Sequence, residues 1–253
     1  MILGPVWAPD GKHLIYGSVP SGNNGVMWIR ADGGGEPQQL TRDDTHIEQV
    51  PTPVSLDGRF VLITKPGVAK EQTLTIDATD ADHPKAGATE PLLNESGSII
   101  SSTISPDGRW LAYTFGASGT VQIFVRPFAN GRIASAGAWR ISAAGAGYPV
   151  WSRVAHQLLY AMSEGRITVV DYTVEGDSFH ASKPRLWTDK QIRPISGSIP
   201  FGLGRLFDLT PDGWRIIAWE PQEQPKEAKA DLQVTMLLNW FDEPRRRLPP
   251  SEK

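Results

Sequence analysis

Apolar and polar residues alternate in short runs along this chain, and the runs are bounded by proline, glycine, aspartate or asparagine. Trp110 to Phe115 alternates directly after Ser105-Pro106-Asp107-Gly108. Val26–Ala31 and Val121–Pro127 follow polar loops with the same period. A period of two predicts β-strands with a covered and a less covered face. Asp-Gly between two such runs predicts a tight hairpin, because tight turns need positive φ. The proline before it fixes φ and ends the first strand.

The turn recurs. Its glycines are Gly11, Gly58, Gly108 and Gly213. The first intervals are 47 and 50 residues, and the last, 105, is about twice as long. The hidden copy is Tyr148–Met162, which matches Gly4–Ser18 with Trp151 on Trp7 and Tyr160 on Tyr16. Ala155 there replaces the glycine. Each unit adds a second strand, a third such as Val121–Pro127, and a short fourth, as at Leu40-Thr41, "AWRIS" and "PRLWT". About four short strands per repeat, five times over, predict an all-β propeller of about five four-stranded blades. The units fall near 1–45, 46–95, 96–143, 144–190 and 191–249 of a single 1–253 domain. Trp7, Trp110 and Trp151, beside the repeated turn, are expected to be buried between blades.

Composition agrees with that class. Glycine (25), proline (21) and nine tryptophans suit strands and turns better than helices. A net charge of −3 offers no basic surplus for nucleic acid or an anionic membrane. There are no cysteines, so disulfides and thiolate chemistry are excluded. No apolar run reaches the ~20 residues of a membrane span. The N-terminus has neither a basic nor an apolar leader region. Its methionine stands directly against a strand, which points to a fragment of something longer.

"PVWAPDGKHLIY", "TISPDGRWLAY" and "DLTPDGWRIIAW" resemble the TolB-like propeller repeat, in which P-x-W-S-P-D-G-K-x-L-A-F opens each blade. The C-terminal stretch Val234–Pro249 resembles the end of large bacterial serine/threonine kinases that carry such a propeller. That resemblance implies a binding module, and a parent protein anchored in a membrane with the propeller outside the cytoplasm. The chain has no nucleotide-binding glycine loop with a catalytic lysine, no H-R-D and no D-F-G, so phosphoryl transfer is not expected. The G-x-S-x-G elbow of propeller-linked hydrolases is also missing, which leaves Ser118 and Ser196 as loop residues.

Candidate chemistry is sparse. His13 and His156 follow hairpin turns and are expected on blade surfaces, and His83 lies in a polar loop. Asp43, Asp44, His46 and Glu48 precede the innermost strand of the second unit, where a chain enters the central mouth. Arg205 and Asp208 occupy the corresponding region of the last unit. Ser101 and Tyr148 are expected to line the same mouth. His46, Glu48 and Asp208 form a thin ligand set for a divalent cation, calcium or zinc; no cofactor is required by the fold. Two functions follow. The first is a non-catalytic module binding a protein or small molecule at the mouth. The second is a metal-dependent hydrolase of small esters, lactones or phosphotriesters. The last unit has strands at "RLFDLTP", "WRIIAWE" and "LQVTMLLNWF", then the proline- and arginine-rich "DEPRRRLPP". Its apolar edge predicts self-association, most simply a two-fold dimer.

Overall fold

The computed structural model describes residues 2–18, 25–42, 48–65, 70–92, 97–117, 119–134, 137–192 and 205–218. Among them there is no helix, and all regular structure is antiparallel sheet. The first blade is a meander of β1 (Ile2–Trp7), β2 (His13–Ser18), β3 (Gly25–Arg30) and β4 (Gln38–Gln39). The second repeats it with β5 (Val50–Val54), β6 (Phe60–Lys65), β7 (Lys70–Asp77) and β8 (Lys85–Pro91). In the third, β9 (Ser98–Ile104), β10 (Trp110–Ala117) and β11 (Thr120–Ala129) lead to two short strands on β11, β12 (Arg132–Ile133) and β13 (Trp139–Arg140). The fourth has β14 (Ala146–Trp151), β15 (Gln157–Met162) and β16 (Arg166–Glu175), with β17 (Ser178–Ala181) and β18 (Arg185–Gln191) on β16. The last is a two-stranded sheet, β19 (Phe207–Leu209) and β20 (Ile216–Ala218). Four full blades and a short fifth sheet are therefore described. The expected third strand of the last unit lies outside the described residues.

The hairpins form where the sequence places them, by a different geometry. Gly11, Gly58, Gly108 and Gly213 all have φ between +65° and +74°, but their aspartates do not have positive φ. The turn is four residues long. In the third blade Gly108 N–H donates to the Ser105 carbonyl at 2.9 Å, and Ser105 N–H to the Trp110 carbonyl at 2.8 Å. Side chains complete it. Ser105 Oγ donates to Asp107 and accepts the buried Trp110 N–H at 3.0 Å, while Asp107 accepts Arg109 N–H at 3.1 Å. Ser55 with Asp57, and Thr210 with Asp212, repeat the clasp. In these three blades a serine or threonine two residues before the aspartate is thus part of the motif, and the first blade has Ala8 there.

The cores lie at the junctions between successive blades. The innermost strands run side by side in chain order, β1 by β5, β5 by β9, β9 by β14 and β14 by β19. Each second strand alternates, so one set of side chains faces the preceding blade and the other the following blade. Ile15, Leu62, Ala112 and Leu159 share one repeat position, and each is at most 1% exposed within the cluster shared with the following blade. Val61 with Ile63, Leu111 with Tyr113, and Leu158 with Tyr160 face the preceding blade and are equally buried.

Trp110 and Trp151 are buried as expected, but Trp7 is not. Trp151 is 5% exposed and its Nε1–H donates to the Thr103 carbonyl of the preceding blade at 3.2 Å. Trp7, its repeat counterpart, is 58% exposed. It lies on the face that would meet a preceding blade, and no described strand covers it.

Candidate functional site

The described mouth residues form two sets of polar partners. Ser101 Oγ and Thr114 Oγ1 are 2.8 Å apart in the interior, and Thr114 Oγ1 accepts the Tyr148 N–H at 3.0 Å. Ser101 and Tyr148 are therefore joined through one hydroxyl across the third and fourth innermost strands. Tyr148 has φ +56° at the bulge of β14, where the counterpart in the first blade is Gly4 at φ +50°. A side chain at Gly4 would sit 2.5 Å from Val50 Cγ1 and 2.8 Å from the Pro51 carbonyl, so only glycine fits there. The fourth blade accepts a strained tyrosine at the same point. Burial raises the Tyr148 phenol above its ordinary pKa, and the side chain packs against the core between the fourth blade and the last sheet.

Arg205 and Asp208 form an ion pair at 2.6 Å, with both side chains near half-exposed. Asp208 also accepts the Leu209 N–H at 2.8 Å. Glu48 is half-buried. His46 lies outside the described residues, as do Asp43 and Asp44. Among the described residues no three histidine, aspartate or glutamate side chains gather as a metal would require. Of the proposed cation set, only Glu48 and Asp208 are among the described residues.

His13 overturns a second expectation. It is 5% exposed, stacked on Trp28 with ring centroids 4.8 Å apart. Its Nδ1 lies 2.6 Å from Asp10 Oδ2, and its buried Nε2 has no hydrogen-bond partner among the described residues. The reason is register. His13 shares the side of β2 that carries Ile15 and faces the second blade. His156 is exposed, as expected, and stacks on Tyr172 at 5.3 Å.

Asp10 and Trp28 also line the feature that sequence reasoning missed. A cavity of about 540 Å³ opens between the first and second blades. The first blade contributes Ala8, Pro9, Asp10 and Trp28, and the second blade's turn contributes Asp57, Gly58 and Arg59. Thr75 to Thr79, at and beyond the end of β7, close the other side. Three aspartates and one arginine thus line it. Each carboxylate is held below its ordinary pKa. For Asp57 burial acts upward, but hydrogen bonds from Ser55 and the Arg59 N–H outweigh it. For Asp10 burial is likewise outweighed, by the N–H groups of Lys12 and His13 and by the His13 ring. For Asp77 the Thr79 hydroxyl and N–H lead. All three are charged at neutral pH. In Asp57 and Asp77 these bonds use Oδ1, which leaves Oδ2 uncommitted among the described residues. The legible signal was the pair of Asp-Gly turns, whose repetition puts two carboxylates at the same end of adjacent blades.

The volume lies within the usual range for small-molecule sites, roughly 300–1,000 Å³. The lining supplies ionic acceptors, the threonines Thr75 and Thr79, and an indole.

Solved structures place this architecture. TolB from Acinetobacter baumannii superposes with a TM-score of 0.56 at 18% identity, over 88% of this chain and 49% of that one. The chain has a β-propeller fold like that of TolB. A putative 6-phosphogluconolactonase from Bacteroides uniformis gives 0.53 at 16% identity, over 85% of this chain and 62% of that one. The periplasmic gluconolactonase PpgL of Pseudomonas aeruginosa gives 0.51 at 15% identity, over 72% and 53%. The chain spans about half to three fifths of the length of these structures. No family model matches the chain, and no curated protein matches it. No helix among the described residues is long and apolar enough to cross a membrane.

Proposed function

We propose that the protein is a non-catalytic binding propeller that takes a small polar molecule, cationic or rich in hydroxyls, between its first two blades. The observation that carries this reading is the cavity lined by Asp10, Asp57, Asp77 and Trp28. Ionised oxygens suit ammonium or hydroxyl donors, and an indole adds cation–π or stacking contact. At the mouth, Ser101, Thr114 and the Tyr148 N–H satisfy one another, and Arg205 satisfies Asp208, which supports a structural role for those groups. The setting beside a bacterial kinase belongs to the same proposal; the residues that suggested it, Val234–Pro249, lie outside those described.

Calorimetry with choline, putrescine, glucose and gluconate tests the reading. At least one cationic or hydroxylated probe is expected to bind, with Asp57→Asn and Asp77→Asn each weakening it about tenfold, the scale of one charge-assisted hydrogen bond. Absence of binding by every probe overturns the proposal. So does metal-dependent turnover of an ester, lactone or phosphotriester panel that a chelator abolishes, since that would support the hydrolase reading of the lactonase-like fold.

A further inference from the structure

Successive blades also meet away from their innermost strands, through the chain that follows each third strand. At the second junction this is the tight turn Asn130-Gly131 between β11 and β12. Thr73 Oγ1 donates to the Gly131 carbonyl at 2.8 Å, and a side chain at Gly131 would lie 2.5 Å from the Phe60 ring, so the place is filled. At the third junction the turn is Gly176-Asp177, and Phe179 beyond it lies 5.3 Å from Trp110. In the first blade the repeat counterpart of Phe60 and Trp110 is His13, and that of Thr73 is Trp28. The second blade meets them with a longer connection, Ala78 to Pro84. Polar ties hold it. Trp28 Nε1–H donates to the Ala81 carbonyl at 2.9 Å, Arg30 pairs with Asp82 at 3.4 Å, and Gln38 donates to the Asp82 carbonyl. Where those two junctions are filled, the first keeps the cavity.

The hydrogen-bonding inventory of this cavity is one-sided. Most of its donors are used inside the fold. The Trp28 N–H goes to Ala81, the Gly58 N–H to the Ser55 carbonyl at 2.9 Å, the Ile76 N–H to the Arg59 carbonyl at 2.7 Å, and the Thr79 hydroxyl to Asp77 at 2.6 Å. Asp10 is engaged through both oxygens, by the N–H groups of Lys12 and His13 and by the His13 ring. Asp57 and Asp77 each keep Oδ2 uncommitted among the described residues. The Arg59 guanidinium lies over the Phe60 ring, 5.4 Å from its centroid, and among the described residues it makes no ion pair with either. We propose that the cavity selects a primary ammonium group, as in alkylamines and diamines, over polyols, sugar acids and quaternary ammonium ions. This rests on the reading of that cavity as a binding site. A primary ammonium brings three donors and no acceptor, which matches ionised oxygens with few free donors beside them. A polyol hydroxyl donates and also accepts, and accepting calls on donors that the lining has mostly spent. A sugar acid adds repulsion from the aspartates. A quaternary ammonium has no N–H to give, and the single indole of Trp28 falls short of an aromatic cage.

Calorimetry on the 253-residue chain at neutral pH tests the selectivity with putrescine against gluconate, choline and 1,4-butanediol. The last has the carbon chain of putrescine with hydroxyls in place of the ammonium groups. Putrescine is expected to bind at least about tenfold more tightly than each comparator, the scale of one charge-assisted hydrogen bond. Asp57→Asn and Asp77→Asn, checked for an unchanged melting temperature, should each weaken putrescine about tenfold and so narrow its preference over 1,4-butanediol. Equal or tighter binding of any comparator overturns the selectivity and leaves the binding reading standing. A preference that survives both substitutions places the ammonium elsewhere and overturns the assignment. If putrescine and every comparator fail to bind, the selectivity and the binding reading fall together.

Discussion

The first and fourth blades carry the same Pro-Val-Trp string, and they bury it differently. Trp151 stands against the third blade, with Tyr172 edge-on at a centroid distance of 5.1 Å and its indole N–H bonded to Thr103. Trp7 has the same local strand and a turn of the same length after it, yet more than half of its surface is exposed. The β10 and β15 stretches Trp110–Thr114 and Leu158–Ala161 are covered on both faces, whereas β2 alternates between buried and half-buried positions. Burial is therefore a property of the junction. A repeat specifies the blade and the register of its faces; the neighbour supplies the free energy.

The largest test of this difference is a matched pair of truncations. Trp151→Ala should cost about 3–5 kcal/mol, the range for deleting a buried large aromatic. Trp7→Ala should stay within about 0.5 kcal/mol, as ordinary exposed substitutions do. Urea denaturation of both variants measures the gap. Equal losses would mean that Trp7 is covered in solution. In that case a loss that grows with protein concentration assigns the cover to a second copy.

The turn clasps sharpen the comparison at a smaller scale. Ser105 is 1% exposed and its Oγ satisfies a buried N–H. Ser105→Ala should cost about 1–3 kcal/mol, because that donor is left unpaired away from water. Thr210 makes the same clasp at the exposed last turn, where water can replace it. Thr210→Ala should cost less than about 1 kcal/mol by the same denaturation.

The bulge offers a third contrast. Tyr148 occupies a left-handed conformation that the first blade gives to Gly4. Tyr148→Gly and Tyr148→Ala lose the same ring packing, but only alanine keeps the strain. The glycine variant should be the more stable by about 1 kcal/mol.

Acid gives the smallest effect. Asp10 and Asp57 have lowered pKa values in the fold, so the stability they confer is present above the ordinary carboxylate value. It is lost as pH falls through their folded values, below about 4. Calorimetric melting from pH 5 downward should show a shallower decline in Asp10→Asn than in wild type. An identical decline would show that the carboxylate is no more acidic folded than unfolded.

Much of the architecture was legible. Alternation located the strands, and the glycines at 11, 58, 108 and 213 located turns that need positive φ. The decayed copy at Ala155 could be read because Trp151 and Tyr160 kept their spacing. The turn's inner geometry was not legible, since the role of Ser55, Ser105 and Thr210 depends on hydroxyls reaching backbone five residues on. His13 was misplaced because position after a turn says nothing about which face a strand turns inward. Of the mouth residues, Ser101 and Tyr148 share a hydroxyl and Arg205 pairs with Asp208, and strand entry points alone did not show these partnerships. The cavity was hidden for a similar reason. Its carboxylates come from two turns 47 residues apart and from the end of β7, and only packing makes them neighbours.

The meander order of the sheets has a kinetic consequence. Each described blade is hairpin-connected within itself and makes its main contacts with the blades next to it in the chain. Such an array approximates a one-dimensional lattice, in which a unit with two neighbours is held more firmly than a unit with one. A described blade with one described neighbour should then open before a blade with two. Amide exchange in β2 and β20 should report local fraying, while β10 and β15 exchange only when the whole array lets go. Any ligand seated between the first two blades would bind at the fraying end. Its occupancy would slow exchange in β2 far more than in β15, so the array would register binding as a redistribution of cooperativity along the chain.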